Sequence, residues 1–93
     1  MIVSFRHKGL ERLYRDDDAR RVPSELASRL RRILAALDTA EHISDLRLFP
    51  GWRLHELKGE WNGVWSLSVS DNWRLTFRFD DGDASDVNLV DYH

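Results

Sequence analysis

The sequence predicts an α+β fold, in which two or three helices pack on one face of a small, mainly antiparallel sheet. Apolar residues in the first half recur at helical spacing, whereas the second half contains strand-length segments separated by short turns. Short connections favour antiparallel neighbours, so these strands are expected to form a meander that an N-terminal strand completes. With 93 residues, 42% of them hydrophobic, residues 1–93 are expected to form a single domain.

The first half is expected to form one strand and two helices. Residues 2–5 are β-prone, and residues 8–15 carry apolar residues at helical spacing. A longer helix is expected to begin at Pro23, because proline is favoured at the first helical position. Its apolar stripe has the spacing of a helix lying on a core and consists of Leu26, Leu30, Ile33, Leu34 and Leu37. One further helical turn is expected at residues 44–46.

The second half is expected to form four strands, at residues 52–57, 64–69, 73–79 and 85–92. Glycine, asparagine and aspartate, which favour tight turns, separate these segments. The third segment alternates apolar with polar residues, which predicts one buried and one exposed face.

Composition and charge exclude several classes of function. The chain has no cysteine, which excludes disulfides, thiolate zinc sites and cysteine nucleophiles. No segment resembles a signal peptide or a membrane span, so a cytoplasmic protein with no membrane partner is expected. No zinc-protease motif, phosphate-binding glycine loop or serine-hydrolase elbow is present, and neither a metal nor another cofactor is expected.

The net charge of −2 predicts weak affinity for RNA in free solution. The charge is unevenly distributed, since residues 1–58 contain 12 Lys/Arg and 9 Asp/Glu, whereas residues 59–93 contain 2 and 7. A local basic surface therefore remains compatible with the net charge.

Polar residues at the ends of the predicted strands are the candidates for chemistry, because these ends can converge on one side of an antiparallel meander. They are His55, with Arg53 and Leu57 on the same predicted strand face, and Lys58, Asn72, Arg74, Asp91, Tyr92 and His93. Metal-free RNA cleavage suits such a set. It needs a base for the attacking 2′-hydroxyl, an acid for the departing 5′-oxygen and cations for the charge on the phosphate. Histidine carries protons near neutral pH, with an unperturbed pKa of roughly 6.5.

Each candidate also has a purely structural interpretation. An exposed strand histidine is usually a surface residue, Lys58 suits a solvated turn, and Asn72 tolerates turn geometry. Arg74 and Arg78 could pair with aspartates on neighbouring strands. The tryptophans that could stack on bases, but for which core packing is favoured, are Trp52, Trp65 and Trp73.

Five strings, in order along nearly the whole chain, resemble HigB toxins of the RelE/ParE superfamily. They are residues 4–10 (SFRHKGL), residues 54–59 (LHELKG), Trp65-Ser66, residues 72–77 (NWRLTF) and the final Asp91-Tyr92-His93. This resemblance implies the RelE-like microbial RNase fold and a ribosome-dependent, metal-independent mRNA endonuclease that inhibits translation. It also implies neutralisation by a HigA-type helix-turn-helix antitoxin, through which alone the toxin would contact operator DNA.

The resemblance also implies a catalytic set. The family's active-site residues fall on His55, Lys58, Asn72, Arg74, Asp91, Tyr92 and His93. The two histidines become the proton carriers, in an order that the sequence leaves open. Lys58 and Arg74 are assigned to charge on the phosphate, Tyr92 to stacking or hydrogen bonding, and Asn72 to positioning.

Two other functions stay open. The acidic balance is compatible with a catalytically weak protein that binds the antitoxin and acts mainly in autoregulation of the operon. The same superfamily contains ParE-like gyrase poisons, which the histidine and arginine set disfavours. The sequence also departs from the family at Glu56, where a small residue or proline is expected; strand alternation should direct it away from the face of His55.

Overall fold

The computed structural model describes residues 1–92 and confirms the α+β prediction. Its two α-helices, α1 and α2, span Lys8–Asp16 and Ala27–Thr39. A four-stranded antiparallel meander follows in the order β1-β2-β3-β4, with strands at His55–Glu56, Val64–Ser68, Trp73–Asp80 and Asp83–Asp91. Short 3₁₀ segments occupy Ser24–Leu26, Ile43–Leu48, Pro50–Trp52 and Gly59–Trp61.

The N-terminal segment lies beside β4, but as two isolated parallel bridges rather than as a regular strand. Ile2 bridges to Ala84 and Phe5 to Val87. Regular pairing is interrupted because β4 has an irregularity in its register opposite residues 76–78, where Asp86 has a φ of 52°. The N-terminal segment therefore runs parallel to β4 at the edge of the four-stranded sheet, without adding a regular fifth strand to it.

The long helix begins later than the sequence predicts. Pro23 precedes a single 3₁₀ turn, Ser24–Leu26, and the α-helix starts only at Ala27, so the predicted start is wrong by four residues. A 3₁₀ turn at a helix N-terminus is common and still uses the fixed φ of proline. The predicted apolar stripe is confirmed, since Leu26, Leu30, Ile33, Leu34 and Leu37 are all buried.

The core lies between the helices and one face of the sheet. Leu10 and Leu13 of α1 and the apolar stripe of α2 belong to one hydrophobic cluster, which also contains the buried residues of the strands. In β3, Leu75 and Phe77 are buried on this face, as the alternation predicts. The tryptophans at 52, 65 and 73 are partly buried against the core, so core packing is the correct interpretation for them.

The predicted strand at residues 52–57 is wrong over most of its length, because only His55–Glu56 pair with β2. Pro50–Trp52 forms a 3₁₀ turn, and Arg53 follows in the left-handed region with a φ of 48°. A left-handed residue reverses the direction of the chain, so Arg53 does not share a strand face with His55.

Asp38 on α2 joins three parts of the fold. Its Oδ1 accepts hydrogen bonds from the Ile2 backbone N–H at 2.9 Å and from the Tyr14 hydroxyl at 2.7 Å. The bond from Ile2, more than any other interaction, lowers the pKa of the Asp38 carboxyl from its ordinary value. The carboxylate thereby holds the N-terminal segment and α1 against α2.

Replacing Asp38 with alanine is expected to lower the free energy of unfolding by about 2 kcal/mol, because both hydrogen bonds go to a charged acceptor. The pKa of Asp38 is lower in the folded state than in the unfolded state. The stabilisation by its carboxylate is therefore complete above pH ~4 and is lost as pH falls through the folded-state pKa. Chemical denaturation of wild type and variant from pH 7 to pH 3 measures both effects. Asp83→Ala, at an exposed residue, is the control; an equal loss in both variants would contradict the assignment.

Candidate active site

The face of the sheet turned away from the helices carries most of the polar candidates. Cross-strand register places His55, Ser66, Thr76 and Asn88 in one row on this open face. A neighbouring row contains Ser68, Arg74 and Val90. Glu56 pairs with Trp65 and therefore belongs to the other face, as alternation predicts.

The hydroxyl of Ser66 is a buried polar group within the first row. Ser66 is 1% exposed and lies between His55 and Thr76, and within residues 1–92 its Oγ has no hydrogen-bond partner. Buried hydroxyls are normally satisfied by protein or ordered water. Because Ser66 is buried, its hydroxyl lies beneath the surface of the open face and does not line the groove described next.

A groove of about 320 Å³ runs along the open face. Its walls combine apolar surface with cationic and amide groups and one carboxylate, and include Arg6, Leu57, Trp61, Thr76, Arg78, Asp86, Asn88 and Tyr92. Trp61 is 55% exposed and Tyr92 is 53% exposed, so both rings are available to a ligand in the groove. Exposed aromatic rings beside cationic groups are the features with which proteins hold single-stranded nucleic acid.

Arg74 and Tyr92 form the strongest link among the candidates. The central guanidinium carbon of Arg74 lies 5.4 Å from the centroid of the Tyr92 ring, within the range of a cation–π contact. The backbone N–H of Tyr92 donates to the carbonyl oxygen of Asn72, which connects the end of β4 to the turn before β3. Three predicted residues are thus brought together by strand pairing.

His55 is exposed on β1, where its own loop constrains the imidazole. Its Nδ1 lies 3.0 Å from the carbonyl oxygen of Arg53, which can only accept a hydrogen bond. Nδ1 must therefore carry a proton, and in the neutral ring Nε2 has the available lone pair. The left-handed conformation of Arg53, absent from any sequence pattern, places that carbonyl.

Lys58 is exposed and precedes the Gly59–Trp61 turn. The residue before it, Leu57, donates its N–H to Val64 and lines the groove, as Trp61 does on the other side of Lys58. Lys58 does not itself line the groove, but it lies between two residues that do and therefore stands beside the rim of the groove.

The structure does not bring every candidate to the open face. Asp91 pairs with Trp73, so strand alternation places it on the opposite face from Arg74 and Tyr92. His93 lies outside the described residues.

Sequence reasoning missed three residues of the groove. Trp61 is the most exposed tryptophan, whereas the three that the sequence offers for base stacking are partly buried. The sequence feature that could have indicated its exposure is its position between turn-forming and polar residues, Gly59, Glu60, Asn62 and Gly63. Arg6 and Arg78 also line the groove, and Arg78 makes only a loose ion pair, 3.8 Å from Nε to Asp86 Oδ2. Exposed pairs of this kind leave a cation largely available to a ligand.

Two kinds of feature are absent from residues 1–92. No three histidine or acidic side chains there are grouped closely enough to hold a metal ion. No helix there has the length and apolar character needed to cross a membrane.

The chain is similar to several known proteins. A family model described as RelE-like toxin of type II toxin–antitoxin system HigB matches residues 3–93. A Proteus vulgaris protein named Endoribonuclease HigB is 44% identical over 93 residues, covering 100% of both chains. Toxin HigB-1 of Vibrio cholerae serotype O1 is 40% identical over 90 residues, covering 96% of this chain and 95% of that protein.

Solved structures with the same fold include YafQ from E. coli strain BL21(DE3), at a TM-score of 0.67 and 15% identity over 98% of this chain and 91% of that one. The YoeB–YefM complex from Staphylococcus aureus matches at a TM-score of 0.55 and 18% identity, covering 100% of this chain and 95% of that chain. At such identities the likeness concerns the fold alone, and it confirms the RelE-like architecture.

Proposed function

The chain belongs to the HigB family of RelE-like toxins of type II toxin–antitoxin systems, and from that premise we propose that it cuts mRNA on the ribosome without a metal ion. The full-length similarity to a protein named Endoribonuclease HigB supports the reaction type. The contact between Arg74 and Tyr92 beside an open groove is the observation that carries the proposal, because it sets a cation and an aromatic ring against the same ligand.

In the proposed reaction the 2′-oxygen of a nucleotide attacks its own 3′-phosphate. The new bond joins the 2′-oxygen to phosphorus, and the bond from phosphorus to the 5′-oxygen breaks. Nε2 of His55 is suited to accept the 2′-proton, because Nδ1 is occupied by the Arg53 carbonyl. An acid must protonate the departing 5′-oxygen, and we assign this step to His93. The products are a 2′,3′-cyclic phosphate and a 5′-hydroxyl.

The other candidates receive supporting roles. Arg74 is proposed to stabilise the charge that develops on the phosphate, since a guanidinium can donate two parallel hydrogen bonds to phosphate oxygens. Lys58, beside the rim of the groove, adds a second positive charge. Tyr92 is proposed to stack on or hydrogen-bond the nucleotide, and Asn72 to position Tyr92 through its carbonyl. Asp91, at the end of β4, is proposed as a member of the catalytic set on the resemblance to the family.

The ribosome is the proposed source of positioning. The chain carries a net charge of −2, so its attraction to free RNA is weak at physiological salt. A ribosome that holds the mRNA in the correct geometry compensates for this weak affinity. Orientation alone can lower the activation barrier by several kcal/mol.

We expect purified protein to cut mRNA in programmed ribosomes at least about 10²-fold faster than the same mRNA alone. Primer extension measures the cleavage rate in both samples. Ribosomes programmed with an mRNA that lacks the cut site serve as the control. Equal rates with and without ribosomes would refute ribosome dependence.

The ends of the fragments test the chemistry. The downstream fragment should carry a 5′-hydroxyl, detected by direct labelling with polynucleotide kinase. Cutting should also survive EDTA once ribosome integrity is restored with a cation that does not support nuclease metal sites, such as a polyamine. A 5′-phosphate would instead indicate attack by water.

Membership of the family implies an antitoxin partner. We propose that this partner is a HigA-type helix-turn-helix protein, that the toxin meets operator DNA only through it, and that all of these contacts occur in the cytoplasm. The YoeB–YefM complex, a toxin-fold neighbour with its partner, supports an antitoxin bound to this fold. We also propose that residues 1–93 act as one catalytic domain.

A further inference from the structure

A second depression, of about 380 Å³, lies beside Arg74 where β2 turns into β3. We name it the arginine pocket, after Arg29, Arg32, Arg53 and Arg74, which all line it. Asp71 is the acidic residue in its wall. The pocket is separate from the groove, but the two meet at the pair formed by Arg74 and Tyr92, because Arg74 lines the pocket and Tyr92 lines the groove.

Three distant parts of the chain build the pocket. Arg29 and Arg32 are three residues apart on α2 and so project from the same side of the helix. Arg29 is fixed by a hydrogen bond of 2.6 Å from its guanidinium to the Val69 carbonyl oxygen. Arg53 is itself the left-handed residue that precedes β1, and Arg74 comes from β3. No local sequence pattern joins these arginines.

The protein neutralises the charge of the pocket only in part, because four arginines and one carboxylate, Asp71, line it. Outside the pocket, Arg15, Arg20, Arg31 and Arg78 each form an ion pair with a carboxylate, whereas Arg6, Arg12, Arg21 and Arg47 form none within residues 1–92. Within residues 1–92 none of the four pocket arginines forms one. A chain with a net charge of −2 thus concentrates unpaired cations around one hollow, which favours an anionic ligand.

We propose that the arginine pocket binds a phosphodiester group of an RNA strand, distinct from the group that is cleaved. Planar guanidinium groups match phosphate oxygens in pairs, and several of them converging on one hollow suit phosphate better than a single exposed carboxylate. The shared boundary at Arg74 means that a strand lying in the groove reaches the pocket by continuing past the reacting phosphate. This inference rests on the proposed function and adds a second anchoring point to it.

The first test measures binding without cleavage or ribosomes. A single-stranded oligonucleotide with 2′-O-methyl groups cannot be cut, and fluorescence anisotropy gives its Kd over a series of salt concentrations. For Arg32→Gln we expect Kd at low salt to rise about tenfold and the slope of log K against log salt to fall by about 0.7, the value for one lost phosphate contact. Arg32 is exposed and bears no described hydrogen bond, so folding should be unaffected; thermal melting checks this.

Arg31→Gln is the matched control. Arg31 lies on the same helix and has the same charge, but it faces Asp17 at 2.7 Å instead of the pocket. An unchanged slope for Arg31→Gln with a reduced slope for Arg32→Gln supports the site. Equal slopes in the two variants overturn it. Because this measurement needs no catalysis, it reads the pocket even if wild-type protein fails to cut mRNA on ribosomes, which would refute the proposed function alone.

A second test identifies the source of the phosphodiester. In the test mRNA, a phosphate next to the cut site is replaced by a neutral methylphosphonate. If the pocket holds mRNA, wild type should cut this modified mRNA more slowly than unmodified mRNA. Arg32→Gln should cut the two mRNAs at the same rate. A weaker affinity of Arg32→Gln for ribosomes without mRNA, and no such coupling, would support the site with ribosomal RNA as its source. Loss of antitoxin affinity with unchanged RNA binding would overturn the proposal in favour of an acidic protein segment.

Discussion

Replacing His55 with alanine is expected to lower ribosome-dependent cleavage by about 10²–10⁴-fold, the usual contribution of a positioned general base or acid. The imidazole is exposed, and its described hydrogen bond is to the carbonyl of Arg53 two residues away. Little core packing depends on it, so the melting temperature should stay close to that of wild type. Single-turnover cleavage on programmed ribosomes measures the loss at saturating enzyme.

A comparison with His93→Ala separates the roles of the two histidines. If His55 is the base, the His55 variant should lose the ascending limb of the pH–rate profile, whereas the His93 variant should lose the descending limb. His42→Ala, at an exposed histidine outside the sheet, should cut at the wild-type rate. A folded His55→Ala protein with wild-type activity would return His55 to the role of an ordinary surface residue.

Replacing Arg74 with glutamine is expected to lower the cleavage rate by about 10²–10³-fold, because a donor aimed at developing charge is lost. Arg74→Lys keeps the charge but lacks the planar fork and should retain part of the activity. Arg74 is partly buried on the open face, and its contact with the Tyr92 ring stabilises both side chains. Cleavage rates of the two variants on programmed ribosomes, with circular dichroism for folding, measure the effect.

Arg12→Gln provides the control for charge. Arg12 is exposed on α1, and its loss changes the net charge by the same amount as the loss of Arg74. A similar fall in activity for both variants would indicate that total charge matters and not a specific contact with the phosphate.

Much of the fold follows from local pattern. The stripe of α2 and the alternation of β3 depend on periods of 3.6 and 2, which are properties of a few neighbouring residues. The sequence therefore predicts correctly which side chains of these elements are buried. The residues assigned by resemblance include the group at Asn72, Arg74 and Tyr92 that strand pairing draws together, although their catalytic roles stay a prediction.

The errors lie where the backbone leaves regular geometry. The 3₁₀ turn at Pro50–Trp52 and the left-handed Arg53 remove most of a predicted strand, yet the same left-handed residue places the carbonyl that orients His55. Such conformations depend on how the chain must turn to meet β2, and a sequence period carries no information about that turn. The direction of the N-terminal segment, parallel to β4, is likewise fixed by partners more than 80 residues away.

By itself the sequence determined the fold class, the composition of the core and the family, because each depends on residues close together or on residue identity alone. Only the tertiary structure decided which polar residues share a surface. It placed Trp61, Arg6 and Arg78 in the groove, set Asp91 on the other face of the sheet, and brought arginines from α2, β3 and the turn before β1 around one hollow. The physical reason is that convergence depends on register and on loop direction, and these are settled by contacts between segments far apart in the chain.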